Sequence, residues 1–198
     1  AIKIDPDYAE AHYNIGNAYG ELGKFQEAIE SYKQAIKIDP DNAMAHFGLG
    51  NAYLKLGMHK EAIRSYKQAI KIDPDYANAH CGLGIAYGKS GKYKEAIESF
   101  NQALMINPDY AEAHYNIGIA YGELGKFQEA IESYKKAIKI DPDFANAHNN
   151  LGIAYAESGK VEKALESYKQ AIKIDPDYAE AHFGLGNAYL KLGMHKEA

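Results

Sequence analysis

The sequence has little of three features that would point to particular classes of protein. It contains one cysteine, Cys81, which excludes an internal disulfide framework and is typical of a reducing compartment, so we expect a cytoplasmic protein. It has no apolar run near the roughly 18 residues of a membrane-spanning helix, so we expect no membrane partner. The net charge of −5 has the wrong sign to attract phosphates, so we expect no nucleic acid partner.

Prolines are also few, but their spacing is strictly periodic. The six prolines lie 34 residues apart, at Pro6, Pro40, Pro74, Pro108, Pro142 and Pro176. Glycine recurs with the same period at Gly16, Gly50, Gly84, Gly118, Gly152 and Gly186, and each is followed three residues later by a tyrosine. The period divides the chain into an end segment, five full repeats and a partial repeat: 1–8, 9–42, 43–76, 77–110, 111–144, 145–178 and 179–198.

Each repeat predicts a helix, a tight turn, a second helix and a loop. In the first repeat, apolar and small residues at helical spacing predict a helix over 9–22 that is buried through Ile15, and Gly23 predicts a left-handed cap. The second helix is predicted over 24–36, and Pro40 stops it. We expect this helix to bury Phe25, Ala28, Ile29, Tyr32 and Ala35 and their equivalents in the core. The second aspartate of each Asp-Pro-Asp loop predicts an N-cap, with capping boxes at Asp7/Glu10, Asp109/Glu112 and Asp177/Glu180.

Gly16 and its equivalents lie inside the predicted first helix, where glycine costs about 1 kcal/mol relative to alanine. We expect this glycine to let the second helix approach closely through Ala28. The resulting pattern of Ala, Gly, Tyr, Gly, Phe or Tyr, Ala, Tyr, Ala and Pro at fixed offsets resembles the tetratricopeptide repeat (TPR) family over the whole chain. The resemblance implies an all-α fold, a right-handed superhelical α-solenoid of antiparallel helix pairs, and a role as a protein–protein interaction scaffold.

The position where this family often has tryptophan carries a histidine in every repeat: His12, His46, His80, His114, His148 and His182. Equivalent residues of stacked repeats are about 10 Å apart, the spacing of packed helices, so no two can share a zinc ion. We therefore expect packing histidines, with no metal and no cofactor. No nucleophile or acid–base pair is predicted to converge in a pocket, so we do not expect this chain to be an enzyme.

The resemblance implies that first helices line an inner, concave groove. Residues three or four apart share one helix face, and we call the following set, read through the repeats, the groove face: Tyr13, Asn14, Asn17, Phe47, Asn51, Cys81, Ile85, Tyr115, Asn116, Ile119, Asn149, Asn150, Ile153, Phe183 and Asn187.

The chemistry of the groove face suits a protein or peptide partner. Asparagine both donates and accepts hydrogen bonds, so a row of asparagines can bind the backbone of an extended segment. Ile85, Ile119 and Ile153 form an apolar stripe that either contacts a partner or packs against the neighbouring first helix. The basic offsets of the family's carboxylate clamp carry no lysine or arginine. Lysines and glutamates alternate at the edge, which favours neither an acidic nor a basic partner.

Three functions stay open at this point. The array is a scaffold that binds an extended segment or a helix of a partner in its groove. It is alternatively a substrate-recruiting arm of a larger enzyme, since its asparagines are similar to those of O-linked N-acetylglucosamine transferases. It is alternatively a self-associating array, because neither end carries a polar cap and copies could stack head to tail. The uncapped ends also predict that the chain is part of a longer array.

Overall fold

The computed structural model describes residues 8–194, which form eleven α-helices and no strand. The helices fall into two compact units, residues 1–107 and 108–198. The first unit contains α1 (Ala9–Glu21), α2 (Phe25–Ile38), α3 (Ala43–Lys55), α4 (His59–Ile72), α5 (Ala77–Lys89) and α6 (Tyr93–Ile106). The second contains α7 (Ala111–Glu123), α8 (Phe127–Ile140), α9 (Ala145–Glu157), α10 (Val161–Ile174) and α11 (Ala179–Lys191). Expectations that involve Pro6, Asp7 and the residues after Met194 lie outside the described part.

Glycine ends every first helix, as predicted. Gly23 has a φ of 71°, and its equivalents in the other repeats also have positive φ. The amide of Lys24 donates to the carbonyl of Tyr19 at 2.8 Å, and the amide of Gly23 donates to the carbonyl of Gly20 at 3.0 Å. These two bonds form the Schellman arrangement that glycine permits. The short turn folds each second helix back against its first helix as an antiparallel hairpin.

The predicted aspartate N-caps are wrong. The N-cap of α7 is Tyr110 and that of α11 is Tyr178, and neither side chain makes a capping hydrogen bond, so the boxes with Glu112 and Glu180 do not form. The loop uses its first aspartate instead: Oδ1 of Asp39 accepts from the amide of Asp41 at 3.2 Å, and later loops repeat this contact. This local turn takes the place of the predicted caps, and α1 begins at Ala9, where the sequence predicted it.

The recurring glycine inside the first helix does serve a close approach, but not to the predicted residue. A Cβ built on Gly16 would lie 2.6 Å from the ring of Tyr32, and one built on Gly118 would lie 2.5 Å from the ring of Tyr134. The ring of a second-helix tyrosine, not Ala28, therefore occupies the space that glycine leaves. The same ring meets the next first helix: a Cβ on Gly48 would lie 2.7 Å from Tyr32.

Each unit has its core between the paired helices. Fully buried alanines and a buried tyrosine or phenylalanine line every described second helix of both units. Leu49 is 8% exposed because it packs against α2 in the same cluster as Ala28 and Ile29. Ile15 holds the same offset in the first repeat and was expected to be buried, but it is 37% exposed. Within residues 8–194, no helix precedes α1 to cover Ile15.

Candidate functional site

Consecutive first helices touch, α1 with α3 and α3 with α5 in the first unit, α7 with α9 and α9 with α11 in the second. Clefts open between them, above the second helix that lies underneath. The cleft between α1 and α3 has a volume of about 390 Å³, and we call it the polar cleft; its walls include Asn17, Glu21, Phe25, Tyr32, Asn51 and Lys55. The cleft between α7 and α9 has a volume of about 310 Å³, and we call it the apolar cleft; its walls include Ile119, Glu123, Phe127, Tyr134, Asn150 and Ile153.

The two clefts are the same structural position in different repeats. Residues 9–42 and 111–144 differ only at Asn17/Ile119, Gln34/Lys136 and Asn42/Phe144. A cleft that recurs at one offset in separate units is a property of the repeat and not of a single local irregularity. Four predicted groove-face residues, Asn17, Asn51, Ile119 and Ile153, line these clefts.

A tyrosine of the second helix forms the floor of each cleft. In the first unit the Tyr32 hydroxyl donates to Oδ1 of Asn17 at 2.7 Å, and Tyr66 donates to Oδ1 of Asn51 at 2.7 Å. Burial raises the pKa of Tyr32 to about 12, so its hydroxyl stays protonated and remains a donor at neutral pH. Because Oδ1 is occupied, the amide nitrogens of Asn17 and Asn51 are the groups left to donate to a ligand.

The apolar cleft lacks this acceptor. Ile119 replaces the asparagine, and the hydroxyl of Tyr134 instead lies close to the Asn150 amide and the Glu123 carboxylate. Burial is the main cause that raises the pKa of Tyr134, with smaller contributions from Tyr115 and Glu123. The two floors thus have the same ring, but different hydrogen-bonding chemistry surrounds them.

The aromatic residues of the groove face mostly form walls. Tyr13 packs on Tyr32 with ring centroids 6.0 Å apart, and Phe47 packs on Tyr66 at 5.9 Å. In the second unit Tyr115 packs on Tyr134 at 5.9 Å and on Phe144 at 4.8 Å. These rings pack against the floor tyrosines and hold them in place. Because the rings are themselves half-buried, only part of each is accessible to a partner.

Two predicted groove-face residues are not on the surface. Cys81 is 2% exposed and lies close to Tyr66, and Asn149 is 3% exposed. Both stand at the offset that elsewhere carries a large ring, and a small side chain at that offset does not reach the surface. The expectation that Cys81 and Asn149 contact a partner directly is therefore wrong. The Oδ1 atom of Asn149 is also buried without a hydrogen-bond partner, which is energetically unfavourable.

The remaining asparagines do not form one uniform row. Asn14 is exposed, whereas the side-chain amide of Asn116 donates to the backbone carbonyl of Glu112 at 2.9 Å. The Asn150 amide donates to the hydroxyl of Tyr115 at 3.1 Å, and its Oδ1 accepts from Asn149 at 3.3 Å. Asn150 is thus already bonded at both ends of its amide.

The isoleucine stripe and the last first helix differ in exposure. Ile85 and Ile119 are half-buried, whereas Ile153 is 47% exposed. A larger cleft of about 810 Å³ lies between α9 and α11, and Ile153, Phe183 and Asn187 are among its lining residues. Phe183 is 73% exposed there. The stripe therefore combines both of the roles that the sequence left open: partial packing and partial access.

Sequence reasoning missed the floor tyrosines Tyr32, Tyr134 and Tyr168 and the phenylalanines Phe25 and Phe127, which it treated as core. Their period of 34 residues marked them as structural, and only the depth of the clefts shows that they also face the site. The alternating edge charges were noted in the sequence, and Glu21, Lys55, Glu123, Glu157 and Lys191 do line the clefts.

The repeated histidines pin the loops to the first helices. Nε2 of His46 donates to the carbonyl oxygen of Pro40 at 3.0 Å, and His80, His148 and His182 make the same bond at 2.8–3.0 Å. This accounts for their recurrence in structural terms, as predicted. Across residues 8–194, no three histidine, cysteine, aspartate or glutamate side chains come together where they could hold a metal ion. In the same range, no helix has the length and apolar character needed to cross a bilayer.

Comparison with known proteins adds two kinds of similarity. A TPR repeat family model matches residues 1–23, 16–57, 56–91, 89–125, 120–159 and 154–193, so overlapping matches run through nearly all of the chain. Among solved structures, MamA is 32% identical, with a TM-score of 0.75 over 87% of this chain and 94% of that one. YrrB, described as a TPR protein with an unusual peptide-binding site, is 28% identical, with a TM-score of 0.73 over 92% and 94%.

A third structure shows similarity of fold alone. PilW, a type IV pilus biogenesis factor, is 24% identical and has a TM-score of 0.87 over 96% of this chain and 88% of that one. The repeat fold therefore persists at low sequence identity.

Proposed function

The chain belongs to the tetratricopeptide repeat family, and on that premise we propose that it is a scaffold that binds an extended segment of a partner protein across the clefts between its first helices. The observation that carries this proposal is the recurrence of one cleft at the same offset in both units. The peptide-binding site named for YrrB supports it by similarity. The proposal is one of binding without catalysis, in a cytoplasmic protein.

The spacing of the clefts suits an extended ligand. Packed helices lie about 8–10 Å apart, so successive clefts recur at about that distance. A polyproline II segment rises 3.1 Å per residue with three residues per turn, so every third side chain returns to the same face after about 9 Å. A segment in this conformation can therefore place one side chain in each successive cleft.

The asparagines favour a scaffold over a transferase-like arm. In the first unit Asn17 and Asn51 retain donors for a peptide backbone, but in the second unit Asn116 and Asn150 are engaged within the protein. A continuous asparagine row that reads only the peptide backbone is therefore not what the two units share. The two units share the cleft, which would recognise the side chains of a bound peptide.

The test fills the clefts without harming the fold. A Cβ on Gly20 or Gly122 meets no atom within 4 Å, although both glycines line a cleft. Leucine is compatible with this offset, since Leu54 holds it in the second repeat. Peptides selected from a phage-displayed library on the full chain should lose at least about tenfold in affinity, or 1.4 kcal/mol, to the Gly20→Leu/Gly122→Leu variant.

The control is Glu30→Ala, which changes an exposed residue of a second helix. It should bind the selected peptides as the unmodified chain does. Replacing glycine within a helix also raises stability, by up to about 1 kcal/mol, so a loss of binding in the leucine variant cannot come from unfolding. Equal affinity for the leucine variant and the unmodified chain would refute binding in the clefts.

A second candidate function, self-association, is favoured by two exposed apolar positions. Ile15 is 37% exposed, whereas Ile117 at the same offset is 6% exposed. Phe183 is 73% exposed, whereas Phe47 at the same offset packs between two tyrosines. We propose that a second copy covers these faces by a head-to-tail contact. Sedimentation velocity should show an average mass that rises from micromolar to millimolar concentration and stays monomeric for Ile15→Glu. A monomer throughout for the unmodified chain would contradict this.

A further inference from the structure

The polar and apolar clefts differ in the residues that a ligand would meet. Asn17 and Asn51 of the polar cleft are replaced by Ile119 and Ile153 in the apolar cleft. The phenylalanine, the two alanines and the floor tyrosine are the same in both. The apolar cleft thus has two branched aliphatic side chains in place of two amide donors, and it carries Asn150 where the polar cleft has Gly48.

The side-chain amide of Asn150, which lines the apolar cleft, is engaged within the protein. Asn150 donates to Tyr115 and accepts from Asn149. Tyr134 is 4% exposed and forms the floor. Ile153, by contrast, is 47% exposed although it is a large apolar residue beside a cavity. Most of the surface of this cleft is therefore aliphatic and aromatic. A ligand that binds there would be stabilised mainly by the burial of apolar surface area.

The volume limits the size of the ligand group. At about 310 Å³ the apolar cleft is at the lower end of the range for ligand pockets, roughly 300–1,000 Å³. It is open to solvent along the first helices, so a chain can continue past it. These dimensions suit one side chain of a longer segment better than a free small molecule.

The charges at the rim differ between the clefts as well. The polar cleft has Glu21 and Lys55 among its lining residues, whereas Glu123 is the charged residue among those that line the apolar cleft. At the offset of Lys55 the second unit carries Glu157, which is exposed. A ligand at the apolar cleft therefore meets the Glu123 carboxylate, with Glu157 exposed on the next first helix, whereas the polar cleft presents one carboxylate and one ammonium group.

We propose that the apolar cleft binds a large aliphatic side chain of the partner segment, with a lysine or arginine within two residues of it that pairs with Glu123 and Glu157. This rests on the proposed function and specifies the partner at one cleft. The aliphatic group fills the space between Ile119 and Ile153, and the cation complements the acidic rim. The polar cleft has neither feature and is not expected to select such a motif.

The test exchanges one cleft for the other. Ile119→Asn/Ile153→Asn gives the apolar cleft the two residues that the polar cleft has at those offsets, and Asn17 and Asn51 show that asparagine is tolerated at both. Phage-displayed random heptapeptides are selected on the full chain, and their affinities are measured by fluorescence anisotropy. The selected peptides should share an aliphatic residue next to a basic one, and they should bind the double variant at least about tenfold more weakly.

The charge is tested separately by Glu123→Lys, because Lys55 and Lys191 show that lysine is tolerated at this offset. This variant should weaken a selected peptide at least about tenfold, but should leave nearly unchanged a version of that peptide in which glutamine replaces the basic residue. The matched control is Glu98→Lys, which makes the same charge reversal at an exposed position of a second helix and should not weaken the peptide; Arg64 at the same offset shows that a basic residue is tolerated there.

Three results would overturn the proposal: no peptide is enriched, the enriched peptides lack the aliphatic–basic motif, or Ile119→Asn/Ile153→Asn leaves their affinity unchanged. The leucine variant separates this failure from that of the proposed function. If filling the clefts abolishes binding of peptides without the motif, binding in the clefts stands and only the specificity at Ile119 is wrong. If filling them has no effect, both are wrong.

Discussion

Alanine substitution of two glycines one turn apart in α7 should change the stability of the protein in opposite directions. A Cβ on Gly118 would lie 2.5 Å from the ring of Tyr134, whereas one on Gly122 would meet no atom within 4 Å. Gly122→Ala should therefore stabilise the protein, by up to about 1 kcal/mol, because alanine is the better helix former. Gly118→Ala gains the same preference but forces the ring to move.

The size of the effect follows from how firmly the ring is held. Tyr134 is 4% exposed, and the Tyr115 ring packs on it with centroids 5.9 Å apart. Overpacking a well-packed core costs about 1–3 kcal/mol. Both variants gain the same helix propensity of alanine over glycine, so this contribution largely cancels when their free energies of unfolding are compared. The cost of overpacking remains, and Gly118→Ala should therefore be about 1–3 kcal/mol less stable than Gly122→Ala.

Urea denaturation followed by circular dichroism measures this difference from the shift in midpoint at constant slope. Gly16→Ala and Gly20→Ala repeat the comparison in α1, where a Cβ on Gly16 would lie 2.6 Å from Tyr32 and one on Gly20 has open space. Equal stability of Gly118→Ala and Gly122→Ala would refute the explanation that the tyrosine ring requires glycine at this offset.

Three further predictions concern buried polar groups. Asn51→Ile should cost about 1–3 kcal/mol because it leaves the buried Tyr66 hydroxyl without its acceptor, and adding Tyr66→Phe should recover most of that loss in a double-mutant cycle followed by urea denaturation. Asn149→Phe should raise the melting temperature, since it removes an unpaired buried oxygen and lets a ring pack at this offset, and a lower value would contradict the account of Asn149. Burial, aided by Lys136, lowers the pKa of His114 below its usual value near 6.5. The unfolded chain then binds this proton first, so stability should fall as the pH drops below about 6.5, and less so for His114→Gln in thermal melts.

The periodicity of the sequence predicted the order of helices, turns and loops because it depends on residues whose backbone requirements are local. Gly23 is an example: a left-handed cap needs glycine whatever the tertiary context. The N-caps failed because two neighbouring aspartates compete for the same turn. The Asp39 carboxylate takes the amide of Asp41, and the helix begins at the residue after Asn42.

The sequence could predict which face of a helix each site residue lies on, but not how deeply its side chain is buried. Asn17 and Ile119 both line clefts because an offset fixes direction around a helix, and their contact with a partner stays a prediction. Cys81 and Asn149 were misplaced because the reach of a side chain, and the size of the ring that it replaces, decide whether it meets solvent. Tyr134 was taken only as core, since a residue beneath a cleft has the same sequence pattern as one beneath a closed surface.

Intermolecular nuclear Overhauser effects show whether a partner segment lies across the first helices. The isoleucine methyl groups of the full chain are labelled, and a peptide selected on that chain is added in excess. We expect contacts from the peptide to Ile119 and Ile153, which line the apolar cleft, and none to Ile29 or Ile131, which are each 1% exposed on second helices. Contacts confined to isoleucines of the second helices, with none at Ile119 or Ile153, would contradict this expectation.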